Sequence, residues 1–221
     1  MSKDSGLSLT EKDKNFFFHP FTALKSHEST GGRIIVEGKG STLTDSEGNK
    51  LLDAMAGLWC VNLGYGNTEL AETIHDQVKK LSYYHSFSGM STDLAAQLSE
   101  RIINMCPVPM SKVFFGNSGS DANDTHAKII WFYNNALGRP NKKKIISRHR
   151  GYHGVTVLSA GLTGLSNLHQ GFDLPLPMIR HVRPPHRLWE KAPGATDAEF
   201  SQTLADELET MIINEGPDTV A

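Results

Sequence analysis

From about Gly66 onward, helical segments with one apolar face alternate with short apolar runs, and this alternation restricts the fold more than any other feature. Leu70, Ile74, Val78 and Leu81 follow one another at spacings of four, four and three, the face of a 3.6-residue period. Asn67 or Thr68 caps that helix. Leu94, Leu98, Ile102 and Met105 form a second face, opened by Ser91 or Thr92 and stopped by Pro107. Residues 120–137 read as a third helix ended by Gly138 and Pro140, and residues 197–214 as a fourth closed by Gly216 and Pro217. Strands are expected at 112–115 and 144–147. Strand–helix alternation of this kind builds an α/β domain on a largely parallel sheet.

The first third of the chain follows another pattern. Residues 1–15 are polar and charged without an apolar run, so they do not read as a secretory signal. An aromatic cluster follows, Phe16, Phe17, Phe18 and Phe21, with no period of its own, so it must pack on this chain or on a partner. A β-meander is then expected: a strand at 33–36, a turn at Gly38 and Gly40, a strand at 41–44, a loop at 45–49 and a strand at 50–53. The Pro- and Arg-rich stretch 174–195 reads as a long surface excursion. Residues 218–221 look like the entry to another strand, at which the chain stops. A parallel sheet so short is not a finished domain, so the sequence reads as truncated.

Charge and composition exclude whole classes. With 22 Lys and Arg against 24 Asp and Glu, the chain has no electrostatic footprint for nucleic acid and no attraction to an anionic membrane. No apolar window is long enough to span a bilayer. Two isolated cysteines, Cys60 and Cys106, make neither a disulfide framework nor a zinc pattern, so a reducing cytoplasm is expected.

Three loops carry candidate chemistry. At Gly116-Asn117-Ser118-Gly119-Ser120-Asp121, an apolar run enters a Gly/Ser loop that opens a helix. Helix starts present unpaired N–H groups and the positive end of the dipole, which suits a phosphate. The same residues also suit a tight turn with a serine cap, and the loop alone does not choose. It is neither a dinucleotide fingerprint nor a P-loop. The second loop, Arg148 to Gly154, follows a strand, and loops after parallel strands gather at one edge of the sheet. It can therefore meet the first over one ligand, with Tyr152 offering a flat face to a planar ring or else plugging a local core. His149 and His153 lie four apart, but Gly151 and Gly154 argue against a helix there, so no metal site is expected. The third, Asp53 to Gly66, is Gly-rich and holds Trp59, either as a buried crossover residue or as an apolar ligand wall.

These motifs carry a resemblance. The run Asp45–Asp53, the stretch Asp53-Ala54-Met55-Ala56-Gly57-Leu58-Trp59-Cys60-Val61-Asn62, then Gly64-Tyr65-Gly66, Asn117 to Asp124 and Gly151-Tyr152-His153-Gly154 resemble, in order and spacing, the N-terminal half of class III aminotransferases. The ω-amino acid–pyruvate type is the nearest match, from about His19 to the last residue. The resemblance implies the fold-type-I scaffold of pyridoxal 5′-phosphate (PLP) enzymes, α/β and incomplete here. Residues 1–66 would form the N-terminal segment of the small domain and residues 67–221 the first part of the cofactor domain. It implies amino transfer from an amine or ω-amino acid to pyruvate or a similar oxo acid, in a cytoplasmic homodimer.

Residue by residue, it implies that Ser118, Gly119 and Ser120 hold the cofactor phosphate. Tyr152 would cover the pyridine ring, with His153 and Gly154 beside it. Phe21, Leu58, Trp59, Cys60 and Phe87 would line the substrate pocket. Family members are roughly twice as long, and their Schiff-base lysine, pyridine-nitrogen aspartate and mobile arginine belong to sequence after residue 221. No lysine here matches, so none is expected to be catalytic and the chain alone is expected to be inactive. Asp121 stands where Glu is common, and Ser88 where a second aromatic is often found. The alternative is an inactive fragment that binds phosphate or associates with another subunit.

Overall fold

A reciprocal cap opens the first helix. Ser8 and Glu11 form a reciprocal box, Ser8 N–H donating to Glu11 Oε2 at 2.7 Å and Glu11 N–H to Ser8 Oγ at 3.2 Å, which satisfies donors that a helix start leaves open. Helix α1 (Leu9–Phe16) follows. A computed structural model describes residues 6–221, so the beginning of the polar lead-in, residues 1–5, lies outside the described residues. The chain divides into two compact units at Glu100/Arg101.

In the first unit, α2 (Leu24–Thr30) is tied to α1 through one carboxylate. Asp13 Oδ1 and Oδ2 bond the Nε2 atoms of His19 and His27, both at 2.9 Å. The meander comprises β1 (Ile35–Lys39), β2 (Thr42–Asp45) and β3 (Lys50–Leu52), antiparallel throughout. Gly38 was expected in a turn but lies inside β1, opposite Leu43. A Cβ there would fall 2.6 Å from Cγ of Tyr65, so the glycine serves close ring packing within a continuing strand. Asp45, buried, orders the following loop by accepting from the amides of Glu47 and Asn49 at 3.0 and 2.9 Å.

A one-turn element, α3 (Ala56–Trp59), leads to α4 (Thr68–Lys80), capped by Asn67, whose Oδ1 accepts Leu70 N–H at 3.1 Å. The next helix, α5 (Asp93–Met105), is capped by Thr92. Both have the expected faces, but Leu70, Ile74, Val78, Leu94, Leu98 and Met105 are all exposed. The periodicity is satisfied without a cover among the described residues.

The second unit holds the apolar core. Helix α6 (Gly119–Ala136) leads to β4 (Ile145–Arg148), α7 (Val157–Leu162) and β5 (Ile179–Val182). Strands β4 and β5 pair in parallel, Ile145 opposite Ile179. Lys144 bridges Val220 in parallel, so of residues 218–221, expected to enter a strand, Val220 makes a single bridge beside β4 and Asp218 and Thr219 lie in a turn. Ala127, Leu158, Leu162 and Ile179 form the buried core, flanked by Trp131, Ile145, Leu176 and Met178. Helices α8 (Arg187–Glu190) and α9 (Asp197–Glu215) complete the unit. Glu215, at the end of α9, pairs with Lys144 at 2.8 Å and with Arg180 of β5.

Two expectations fail here, for one reason. Residues 112–115 form no strand, because none of the described strands offers them a ladder. The excursion at 174–195 instead contains β5 and α8, and Ile179 is 2% exposed. Pairing between distant segments decides both cases.

Candidate functional site

The start of α6 is open at its donors. Ser118 adopts an extended backbone as the cap, and its Oγ accepts the N–H of Asp121 at 3.1 Å. Asp121 Oδ2 accepts the N–H of Asn117 at 3.0 Å. Among the described residues, no acceptor takes the N–H of Gly119 or Ser120. These two donors stand at the positive end of an 18-residue helix. The cap and the anion site, alternatives in the sequence, are compatible: Ser118 caps and the next two amides stay free.

The loop after β4 is seated against this opening. Val155 N–H donates to Ser120 Oγ at 3.0 Å, leaving the serine hydroxyl hydrogen for another acceptor. Gly154 has φ +128°, and a Cβ there would fall on Ser120 Oγ, 2.5 Å from Ser159 Oγ and 2.9 Å from Ser120 Cα. Only glycine fits the junction. Asn123 Nδ2 donates to the His153 carbonyl at 2.7 Å, and Asp124 Oδ1 accepts from Thr156 Oγ1 at 2.8 Å and Ser159 N at 3.2 Å. Thr163 Oγ1 accepts His153 N–H at 2.9 Å and donates to the Gly154 carbonyl at 3.1 Å. Thr163 and Ser159 are 0% exposed, so each buried hydroxyl has found its partners. Sequence reasoning quoted Asn123 and Asp124 within the motif without giving them a role, and missed Ser159 and Thr163, whose only signal was their polar character beside the loops. Tyr152 presents an exposed ring, so it does not plug a core. The His153 ring lies over Gly151, whose Cβ would come 2.9 Å from His153 Nε2.

The first unit places Leu58, Trp59 and Cys60 in and just after α3, which is a left-handed turn. Ala56, Gly57, Leu58 and Trp59 have φ of 49°, 58°, 61° and 68°, and Cys60 N–H reaches the Ala56 carbonyl at 2.9 Å. Each non-glycine residue in this conformation costs about 1–2 kcal/mol. Trp59 is 76% exposed, so the buried-crossover alternative fails. Phe21 and Phe87 are exposed too, with no ring contact to the turn among the described residues.

Asp53, not singled out in the sequence, braces the turn. Its Oδ1 accepts Met55 N–H at 3.0 Å, and its Oδ2 accepts Gly57 N–H and Tyr65 O–H, both at 2.7 Å. The Tyr65 hydroxyl and these amides hold its carboxyl below the usual carboxylate range.

A separate cavity of about 520 Å³ lies past the C-terminal ends of β4 and β5, lined by His149, Arg150, His181, Arg183, Glu207 and Met211 among others. Its cations are engaged: Arg183 grips Glu207 at 3.1 and 2.7 Å, and Arg150 lies 4.4 Å above Trp189. Burial lowers the His181 pKa, and His149, His169 and His153 act in the same direction. Among the described residues, one group, Asp13, His19 and His27, clusters like metal ligands; its facing atoms are paired with one another.

Comparison with known proteins gives a coherent result. The class-III aminotransferase family profile matches residues 24–221. An uncharacterised aminotransferase of Sinorhizobium fredii is 52% identical over 215 residues, which are 96% of this chain and 46% of that protein. The crystal structure of the ω-transaminase of Pseudomonas jessenii in complex with PMP superposes with a TM-score of 0.95 at 48% identity, over 97% of this chain and 48% of that one. A thermostable ω-transaminase variant with glycine in place of a tryptophan, engineered for asymmetric synthesis of enantiopure bulky amines, superposes with the same TM-score, identity and coverage. The chain spans slightly less than half the length of these relatives.

Proposed function

Because this chain belongs to the class-III aminotransferases and carries part of their fold-type-I scaffold, we propose that it serves PLP-dependent transfer of an amino group from an ω-amino acid or amine to pyruvate or a similar oxo acid. The observation that carries this reading is the pair of free amides at Gly119 and Ser120, kept approachable by Gly154. An anion with several acceptor oxygens fits there, and the phosphate of PLP is such a group. PLP, when bound, supplies a reactive carbonyl carbon and an electron-withdrawing ring.

The chain's own residues hold and shape. Gly119 N–H, Ser120 N–H and the Ser120 hydroxyl donate to the phosphate, while Ser118 fixes the first turn. Tyr152 would cover one face of the cofactor ring, with His153 and Gly154 setting the loop that carries it. Leu58, Trp59 and Cys60, with Phe21 and Phe87, wall the amine substituent in an apolar pocket. The engineered tryptophan-to-glycine relative, made for bulky amines, agrees with a tryptophan in that wall. Residues 1–66 belong to the small domain and 67–221 to the cofactor domain. The exposed faces of α4 and α5 and the exposed Phe16–Phe18 cluster suit a homodimer, and two free thiols suit a cytoplasmic setting.

Among the described residues, several lysine amines are engaged by partners of their own. Lys80 pairs with Asp93, Lys144 with Glu215 and Lys191 with Asp197, while Lys142 and Lys143 bond Pro217 and Asn135. None of the lysines matches the family's Schiff-base lysine, so these 221 residues by themselves are expected to show no turnover. Borohydride reduction with PLP, followed by peptide mapping, tests this: scattered, substoichiometric labelling is expected. One stoichiometrically labelled lysine with pyruvate-dependent consumption of an amine would overturn it. For the holoenzyme, pyruvate-dependent turnover of an ω-amino acid is expected, and Tyr152→Ala should raise the PLP dissociation constant equally with every donor. A PLP-loaded holoenzyme inert to all amine donors contradicts the reading.

A further inference from the structure

Four consecutive residues with positive φ do not form a turn unaided. L-residues visit this region singly, and a left-handed turn of Ala56, Leu58 and Trp59 needs outside support. The support is a single carboxylate. Asp53 takes the amides of Met55 and Gly57 and the hydroxyl of Tyr65, at 3.0, 2.7 and 2.7 Å. Those amides open the turn, and the direction of Leu58 and Trp59 follows from them.

Tyr65 anchors the carboxylate in turn. Its backbone pairs with Gly40 in both directions at 2.9 Å, and its ring fills the space over Gly38 of β1. Its hydroxyl also closes the space beside Gly57, where a Cβ would sit 2.9 Å from it and 2.8 Å from Val61 Cγ2. Asp53 N–H bonds the Ser41 carbonyl at 2.9 Å. A continuous chain of contacts thus runs from the meander through Tyr65 and Asp53 to the two side chains that protrude, Leu58 and Trp59.

We propose that Asp53, anchored by Tyr65, is a positioning residue that fixes the left-handed turn and thereby determines which amine donors the Leu58–Trp59 wall accepts. The inference rests on the reading above that Leu58 and Trp59 line the donor pocket. Asp53 acts through the turn it braces. Its carboxylate decides whether the turn keeps one conformation, and so whether the wall is fixed or adaptable. Freed of the clamp, the turn relaxes toward ordinary negative φ, and Trp59 swings with it.

The test compares holoenzymes. Asp53→Asn places an amide where a carboxylate accepted three donors. Tyr65→Phe removes the hydroxyl alone and keeps the ring over Gly38, so it reports even if Asp53→Asn fails to fold. Trp59→Ala serves as the reference. The kcat/KM ratio of a bulky to a small amine donor is measured together with the PLP dissociation constant. Asp53→Asn is expected to move the donor ratio about tenfold, in the direction that Trp59→Ala moves it, and Tyr65→Phe to move it the same way by a smaller factor. PLP affinity should stay at the wild-type value in both. If Trp59→Ala shifts the ratio while Asp53→Asn and Tyr65→Phe do not, the positioning role is overturned and the pocket reading stands. If Trp59→Ala itself leaves the ratio unchanged, the pocket reading fails. A uniform loss with all donors, with PLP affinity falling in parallel, would reduce Asp53 to a purely structural role.

Discussion

Two glycine-dependent junctions in this molecule are held in opposite ways. Gly154 sits where α6 and the loop before α7 meet, and this junction joins segments far apart in the chain: Ser120, Asn123 and Asp124 come from α6, while Ser159 and Thr163 come from in and just after α7. Its surroundings include hydroxyls with no exposure, and α7 packs on the apolar core. Gly57 lies in an exposed turn whose braces, Asp53, Val61 and Tyr65, all come from within a dozen residues. Burial follows the same division. Among the described residues, the buried apolar ones all belong to the second unit, whereas in the first His27 and Asp45 are the buried ones, both polar. A helix start built on a packed core is preformed and rigid. A wall built on a local polar clamp is adjustable by a single substitution. The first suits a cofactor common to a family, and the second a substrate that varies within it.

The largest effect should come at Gly154. Gly154→Ala adds a methyl group that falls on Ser120 and Ser159, and destabilisation of roughly 2–6 kcal/mol is expected from overpacking with backbone strain. Urea unfolding of the apoprotein measures it. Gly57→Ala should cost only about 1–2 kcal/mol, because the exposed turn can shift, and it should change the donor ranking, which Gly154→Ala reaches only through lost fold and cofactor. If Gly57→Ala proves the more damaging to stability, the division between a rigid and an adjustable junction collapses.

The smallest effect concerns pH. Burial depresses the pKa of His181 in the folded state, while the unfolded chain takes up that proton near 6.5. The folded state therefore binds fewer protons in this window. His181 contributes stability that is fully present above about pH 6.5 and is lost as the pH falls toward its folded value. The slope should stay under roughly 1.4 kcal/mol per pH unit. Thermal midpoints of wild type and His181→Gln between pH 7.5 and 5.5 should converge as the medium becomes acidic. Parallel curves would remove His181 from the account and leave the buried junction pH-insensitive.

What the sequence disclosed follows the range of the forces involved. Caps at Asn67 or Thr68, at Ser91 or Thr92 and at a serine before α6, and helices α4, α5, α6 and α9, were legible because capping and the 3.6-residue period act within a turn or two; the structure selects Asn67, Thr92 and Ser118. The loops at Ser120 and Gly154 were expected at one edge of a sheet, and the Ser120–Val155 bond joins them. Strand β5 was not legible: Arg180 and His181 disguise it, and only pairing with β4 and the Arg180–Glu215 contact define it. Helix α7 was missed because its small residues, Ser159, Ala160 and Gly161, signal close packing and not helix. The left-handed turn ran against every local preference of Leu58 and Trp59, and its cause, Asp53, reads in sequence as one more acid before a loop.

The central claim is that the start of α6 receives the phosphate of PLP. The most direct measurement is a PLP titration of the apo form of the holoenzyme, wild type against Ser120→Ala, followed by the change in PLP absorbance. A charge-assisted hydrogen bond is worth about 1.5–3 kcal/mol, so loss of the Ser120 hydroxyl should raise the dissociation constant about tenfold or more. The donor ranking should stay as in wild type, and Trp59→Ala should give the inverse pattern. An unchanged PLP affinity in Ser120→Ala, with a bulky replacement of Gly119 equally silent, would contradict the claim.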